Sequence, residues 1–251
     1  MIIRLIEFLA YTGTIAAMLA ASLAIYTFLF LNSGINYILL VLIFFGTLVI
    51  YNMDHLMDIG SDQSTNPRRV SFIKSNKAMI YLITGISVFV SILIIYFLGF
   101  KILYIIFIPF ILGLLHRRIK SNPIISAIYI TLSWLIVTVY LPAYMAGKQN
   151  DVVLLAILIG ILLFFNAYTS SFRYKFYAMS YVRYMLYLSL LVLVIVLLLR
   201  GNYLSIIPLA FFSTMALTNY MDDEDYEVIF FDGLQLSGAI VSILFLILIK
   251  L

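Results

Sequence analysis

Residues 37–62 read YILLVLIFFGTLVIYNMDHLMDIGSD, an apolar run that ends in three regularly spaced aspartates. A transmembrane helix needs about 20 predominantly apolar residues, and similar runs recur along the whole chain. Of 251 residues, 65% are hydrophobic and 10% are charged, with a mean hydropathy of +1.16, whereas soluble domains are about 45–50% apolar. No soluble fold could bury so much apolar surface. The sequence therefore predicts an all-α integral membrane protein.

Polar segments and segments containing glycine or proline divide the chain into nine predicted transmembrane helices. These helices cover residues 8–31, 36–57, 78–99, 102–115, 124–146, 152–172, 181–199, 203–220 and 233–250. No separate soluble segment remains, so residues 1–251 are predicted to form one transmembrane helical domain. Three prolines inside these helices predict local bends, because proline lacks a backbone donor; they are Pro109, Pro142 and Pro208.

The basic residues predict the orientation of the helices. With a cytoplasmic N-terminus, eleven of the fifteen Lys and Arg residues fall in inner segments, as the positive-inside rule requires. The four outer ones are Lys101, Lys148, Arg200 and Lys250. The basic residues are scattered between apolar runs and do not form a soluble basic face, which argues against a nucleic-acid partner. We expect a multi-pass protein of a prokaryotic cell membrane, surrounded by membrane lipids, with its functional face in the cytoplasm.

Few residues could serve as nucleophiles or as nitrogen or sulfur ligands of a metal. The chain has no cysteine, which excludes disulfides, thiolate nucleophiles and cysteine-ligated metals. The only two histidines, His55 and His116, are not spaced as a metal-binding pair. The carboxylates are therefore the main candidates for a functional site.

Asp54, Asp58 and Asp62 lie at positions i, i+4 and i+8 of the second predicted helix. On a continuous helix they would share one face and repel each other, so a positive partner is expected. Hard oxygen ligands favour Mg²⁺, which typically bridges one or two carboxylates to substrate phosphates. Arg68 and Arg69 follow, and their guanidinium groups suit phosphate oxygens. The alternative is a solvated helix end whose aspartates keep a loop in water.

This motif resembles that of the UbiA superfamily of intramembrane prenyltransferases. The family motif is an Asn followed by Asp at four and eight residues, then a Pro and an Arg. Asp54 takes the Asn position, Asp58 and Asp62 take the Asp positions, and Pro67 and Arg69 follow. The residues after the Arg depart from the pattern. A second family pattern, Tyr-x-x-x-Lys after helix 4, is matched here by residues 116–120, with Lys120 retained and the tyrosine replaced by histidine.

The resemblance implies a nine-helix bundle that transfers a prenyl group from a polyprenyl diphosphate to a lipophilic acceptor with Mg²⁺. It implies metal binding and catalysis by the three aspartates. It also implies diphosphate binding by basic residues of the inner segments, for which we select Arg68, Arg69, Lys120, Arg173 and Lys175.

The second aspartate motif of the family is missing at the end of the sixth predicted helix, where this chain has Asn166 and no carboxylate. Asn166 could offer a neutral oxygen, and Arg173 with Lys175 could replace the charge of a metal. Alternatively, Asp222 and Asp225 of a later acidic segment could supply the missing ligands, although a solvated acidic turn also explains them. A catalytically degenerate isoprenoid-binding homologue and a small-molecule transporter are the alternative functions.

Overall fold

The computed structural model describes residues 2–60, 67–119, 122–171, 191, 195, 201–218 and 224–250. Throughout these ranges the protein is all-helical, without strands, as predicted. In chain order the α-helices are α1 (Ile2–Tyr11), α2 (Thr14–Phe30), α3 (Tyr37–Met57), α4 (Pro67–Ser75), α5 (Lys77–Leu98), α6 (Lys101–Ile119), α7 (Pro123–Leu135), α8 (Leu141–Met145), α9 (Val153–Ser171), α10 (Ile207–Thr218) and α11 (Glu224–Lys250). A π-helix, Ile136–Tyr140, joins α7 to α8, and short 3₁₀-helices cover Gln149–Val152 and Gly201–Ile206.

Several of these helices can cross a membrane. By length and composition, five segments within the described ranges qualify: Tyr37–Met57, Lys77–Leu98, Ile124–Met145, Gln149–Tyr168 and Gly233–Lys250. The bent pair α1 and α2 would make a sixth, and two apolar helices, Lys101–Leu112 and Gly201–Ser213, are shorter. The predicted helix 181–199 lies outside the described residues except at positions 191 and 195. A membrane protein is supported, whereas nine spans and their orientation stay predictions.

The predicted helix 8–31 is not one straight span. It bends by 71° between Leu5–Tyr11 and Thr14–Phe30. Gly13 lies at the break and has a left-handed backbone conformation, with φ +69°. Residues other than glycine rarely adopt this conformation. A Cβ at Gly13 would lie 2.6 Å from the Cβ of Tyr51 on α3. The glycine therefore allows both the bend and the close approach of α3.

A π-helix, Ile136–Tyr140, precedes Pro142, and Ile124–Met145 is one candidate span, so the bend at Pro142 stays a prediction. Proline cannot donate a hydrogen bond to the carbonyl four residues earlier, which belongs to Thr138. Oγ1 of Thr27 on α2 lies 2.8 Å from that carbonyl and 3.0 Å from the carbonyl of Leu23 on its own helix, so its single hydrogen has two acceptors, of which Thr138 is the nearer. Both threonines are fully buried. A neighbouring helix thus offers a donor to a carbonyl that cannot receive one from residue 142.

Helix α2 forms the centre of the described bundle. On one of its faces, Leu23 and Tyr26 belong to a core cluster that also includes Ala239 and Leu246 of α11. On another face, Ala20 and Phe28 pack with α3. Helix α11 also packs along α2, although the two helices are about 200 residues apart in sequence. By contrast, α5 leaves large apolar side chains such as Phe97 exposed. This exposure is expected of a helix that faces lipid.

Two lysines meet the C-terminal end of α2. Nζ of Lys148 donates a hydrogen bond of 2.5 Å to the carbonyl of Leu31. Nζ of Lys250 donates to Oδ1 of Asn32 at 2.6 Å and also to the carbonyl of Leu29. Cations are favourable at this end of a helix, where the last carbonyls lack intrahelical partners. Both lysines, predicted to lie on the outer side, therefore have a structural role.

Candidate functional site

A cavity of about 210 Å³ lies between α2, α3, α6, α7 and the π-helix. Most of the side chains that line it are aliphatic or aromatic, and Asp54 is the only charged residue among them. Asp54 lies on the last turns of α3. A largely apolar cavity with one carboxylate at its edge suits an amphipathic ligand.

The cavity follows α3 from Met57 and Asp54 at one end to Thr47 at the other. At mid-length, the rings of Tyr51 and Trp134 meet edge to face, with centroids 6.5 Å apart. The far end lies at Thr47 on α3 and Thr138 in the π-helix. The hydroxyls of these threonines donate to carbonyls of their own helices at 2.7 and 2.8 Å. Both hydroxyls are thus already used in hydrogen bonds within the protein.

The row of three aspartates that we predicted on one helix, Asp54, Asp58 and Asp62, is shorter in the structure. Helix α3 ends at Met57, and Asp58 is its C-cap, with a backbone N–H that donates to the carbonyl of Asp54 at 2.9 Å. Asp62 lies outside the described residues. The expectation of one helical face carrying all three aspartates is therefore wrong, because the α-helical geometry stops before the third. Carboxylates are unfavourable at the negative end of a helix, which gives the helix an electrostatic reason to end here.

Asp54 and Asp58 differ in environment. Asp54 is partly exposed and lines the cavity, whereas Asp58 is only 2% exposed. A buried carboxylate requires hydrogen bonds or positive charge nearby. Both aspartates have interactions in the structure. Of the two, only Asp54 lines the cavity.

Arg68, at the start of α4, forms an ion pair with Glu7 on α1. The ring of Phe72 reinforces this contact between the helices, because it packs against Phe8 and Tyr11 at centroid distances of 6.3 and 5.3 Å. Arg68, which we predicted to bind diphosphate, is thus paired with Glu7, a carboxylate for which we predicted no role. Glu7 is the only acidic residue before Asp54 in the sequence. A single carboxylate in an apolar segment of this kind indicates a residue with a specific partner.

His55 has a structural contact next to Asp54. Its Nδ1 lies 3.0 Å from the backbone carbonyl of Tyr11. A carbonyl can only accept, so Nδ1 carries the hydrogen and donates. This bond ties the end of α1 to α3 beside the aspartates. Asn52, one turn earlier, is fully buried, and neither atom of its side-chain amide has a partner within the described part of the chain.

The other predicted site residues are not brought to this cavity by the described structure. Asn166 lies on α9, is 6% exposed and does not line the cavity; its Oδ1 has no hydrogen-bond partner among the described groups. Lys120, Arg173, Lys175 and Asp222 lie outside the described residues, as does the side chain of Asp225. In the described ranges α11 begins at Glu224, so Asp225 lies near a helix start, where acidic residues are favourable.

The donor set at α3 restricts which metal could bind. The described part of the chain contains no group of three or more His, Cys, Asp or Glu side chains that could hold a metal. Asp54 and Asp58 offer two carboxylates. Two carboxylates are too few for a Ca²⁺ or Zn²⁺ cage, but they are typical of Mg²⁺ that shares its coordination with substrate phosphates and water.

Comparisons with known proteins add no family, because no family model, no curated protein and no solved structure matches this chain.

Proposed function

We propose that this protein is a Mg²⁺-dependent membrane prenyltransferase of the UbiA type, which transfers a prenyl group from a prenyl diphosphate to a lipophilic acceptor. The observation that carries the proposal is the apolar cavity with Asp54 at its edge. Such a cavity matches a substrate with a long apolar tail and a highly charged head.

The residues at the end of α3 fit the metal that the proposal requires. Asp54 and Asp58 are hard oxygen donors, separated by one helical turn. Mg²⁺ bound there would act as a Lewis acid for the diphosphate. Arg69 follows on α4, and its guanidinium group is suited to bind phosphate oxygens. Arg68 pairs with Glu7, and Arg69 also has an interaction within the protein.

In the proposed reaction, the bond between the first prenyl carbon and the diphosphate oxygen breaks, and its electron pair leaves with the diphosphate. A nucleophilic carbon or oxygen of the acceptor then bonds to the allylic cation and loses a proton to solvent. The cavity supplies aromatic faces for the cation from Tyr51, Phe110, Tyr129 and Trp134. Its apolar walls limit the access of water, which would otherwise capture the cation.

Diphosphate release from the purified protein tests this proposal. Protein in lipid nanodiscs is incubated with Mg²⁺, prenyl diphosphates of several chain lengths and a mixture of aromatic and hydroxyl acceptors. Asp54→Asn and Asp58→Asn should each lower the release rate by about a hundredfold or more, since each removes an electrostatic contribution to the transition state. Asp151→Asn is the matched control, because Asp151 is exposed in the 3₁₀-helix Gln149–Val152.

A non-catalytic isoprenoid-binding protein is the second candidate, and it is favoured by the absence of a carboxylate at Asn166. That function would give Mg²⁺-dependent thermal stabilisation by prenyl diphosphates without any diphosphate release. A protein that neither binds nor cleaves any of these compounds would contradict both functions. Unchanged release by both aspartate variants would contradict the proposed roles of Asp54 and Asp58.

A further inference from the structure

Helix α1 turns away from α2 too sharply to extend it through a membrane. The two helices meet at an angle of 71°. The segment Leu5–Tyr11 is about 10 Å long, and at this angle it adds only about 3 Å along the axis of α2. Helix α2 itself has 17 residues, which lies within the range of about 17 to 25 residues that span a bilayer. Helix α2 is therefore long enough to cross alone, with α1 running across its axis.

The contacts of α1 place it at the charged end of α3. The carbonyl of Tyr11 accepts a hydrogen bond from His55, the residue after Asp54. Glu7 forms an ion pair with Arg68 at the start of α4. Charged side chains are costly inside the hydrocarbon of a bilayer, so this level of the bundle corresponds to the lipid headgroups. The angle of α1 and the level of its contacts are independent observations, and both favour a position along the membrane surface.

The two faces of α1 differ in exposure. Ala10 and Tyr11, which face the bundle, are 5% and 2% exposed. Leu5 and Ile6 are 57% and 37% exposed, and Leu9 is half-exposed. At about 100° per residue, these last three side chains fall within an arc of about 100°. Helix α1 thus carries an apolar stripe that faces away from the described part of the bundle.

We infer that α1 is an interfacial helix, which lies in the plane of the membrane and whose Leu5, Ile6 and Leu9 side chains contact lipid at the boundary between headgroups and acyl chains. Apolar side chains at this boundary leave water, which favours the position. The contacts of α1 with α3 and α4 then tie this lipid-bound helix to the segment that carries Asp54, and so hold that carboxylate at headgroup depth. The inference does not depend on prenyl transfer.

Depth measurements with spin labels test this inference. Single cysteines at Leu5 and Leu9, one helical turn apart, are introduced into the cysteine-free chain, labelled with a nitroxide and reconstituted in nanodiscs. Electron paramagnetic resonance compares the collisions of each label with oxygen, which concentrates in lipid, and with a water-soluble nickel chelate. Both labels should lie close to the lipid headgroups.

The difference in depth between the two labels distinguishes the possible orientations of α1. One turn is about 6 Å along a helix axis, so the two labels should differ in depth by about 2 Å if α2 runs along the membrane normal. A typical tilt of α2, about 20°, would raise this difference to at most about 4 Å. Leu82 and Ile86, both exposed and one turn apart on the candidate span α5, are the matched control pair. Their labels should differ in depth by about 6 Å.

All four substitutions replace exposed or half-exposed side chains and should leave thermal unfolding unchanged. A depth difference of about 6 Å between the labels at Leu5 and Leu9, equal to that of the control pair, would show that α1 continues the span of α2 and would overturn the inference. Collisions with the nickel chelate as frequent as in bulk water would show that α1 faces water, which would also overturn it. Neither result would bear on prenyl transfer.

Discussion

The hydroxyl of Thr27 donates a hydrogen bond to the backbone carbonyl of Thr138 at 2.8 Å, and this bond joins the central helix α2 to the π-helix. It replaces the donor that Pro142 lacks. The Thr138 side chain also lines the cavity. The packing of α2 and the shape of the candidate site therefore depend on each other.

Thr27→Val should destabilise the protein by about 1 kcal/mol, because it removes the hydroxyl that donates to the buried Thr138 carbonyl. Unfolding in a denaturing detergent provides the measurement, and Thr27→Ser, which keeps the hydroxyl, should be milder. Pro142→Ala restores a backbone donor for that carbonyl. The effect of Thr27→Val should therefore be smaller in a Pro142→Ala background, and equal effects in both backgrounds would contradict this account.

Gly13→Ala should destabilise the protein by about 1–3 kcal/mol or more, because a side chain there is strained at φ +69° and collides with Tyr51. Gly85→Ala is the control. Gly85 lies within α5, and a Cβ there meets no atom within 4 Å. Alanine has the higher helix propensity, so this control should be neutral or slightly stabilising. Thermal unfolding of both variants in one detergent compares them directly, and a stable Gly13→Ala protein would argue against the bend.

Arg68→Gln should change the affinity for a prenyl diphosphate less than twofold, because its guanidinium group pairs with Glu7. Arg69→Gln should weaken that affinity by about tenfold or more if Arg69 binds the diphosphate. Isothermal titration with Mg²⁺ present separates the two outcomes. The charge-reversed double variant Glu7→Arg with Arg68→Glu keeps the ion pair and should bind like the wild type. An equal loss in both single variants would show that Arg68 also reaches the substrate.

Single cysteines in this cysteine-free chain test the predicted orientation. A cysteine at Lys74 should react with a membrane-impermeant maleimide only from the cytoplasmic side, as the positive-inside rule predicts. A cysteine at Asn150 should react only from outside. Both positions are exposed, and Asn150 is preferable to Lys148, whose ammonium group bonds to Leu31. Labelling of both sites from the same side would reject the predicted topology.

Residue patterns predicted that the protein is all-helical and where some of its long helices lie, but not how the helices meet. The apolar runs of α3 and α5 predicted their positions because span length depends on local composition alone. Gly13 gave no such signal, since one glycine in an apolar run is compatible with a continuous helix. Its positive φ and its close approach to Tyr51, a residue distant in sequence, arise only in the packed structure. Pro142 indicated a missing backbone donor, but the contact between the Thr138 carbonyl and Thr27 depends on a second helix, α2.

The candidate site was predictable to a similar extent. The spacing of Asp54 and Asp58 indicated a carboxylate pair at a helix end, and the structure places one of them at the cavity. The cavity itself could not be read from the sequence, because its walls come from helices α2, α3, α6 and α7. The pairing of Glu7 with Arg68 was missed for the same reason, since it depends on how α1 turns away from α2.

Lys250 and Leu29 lie 221 positions apart in the chain. Their contact can therefore form only late in the synthesis of the protein. A ribosome adds about 5–20 residues per second, so α2 enters the bilayer about 10–45 seconds before its partner α11 has been made. During that interval the face of α2 that later packs against α11 is covered only by lipid or by an insertion factor. A ribosome that stalls late would thus release a bundle whose central helix lacks a neighbour, and membrane quality-control proteases should recognise that face.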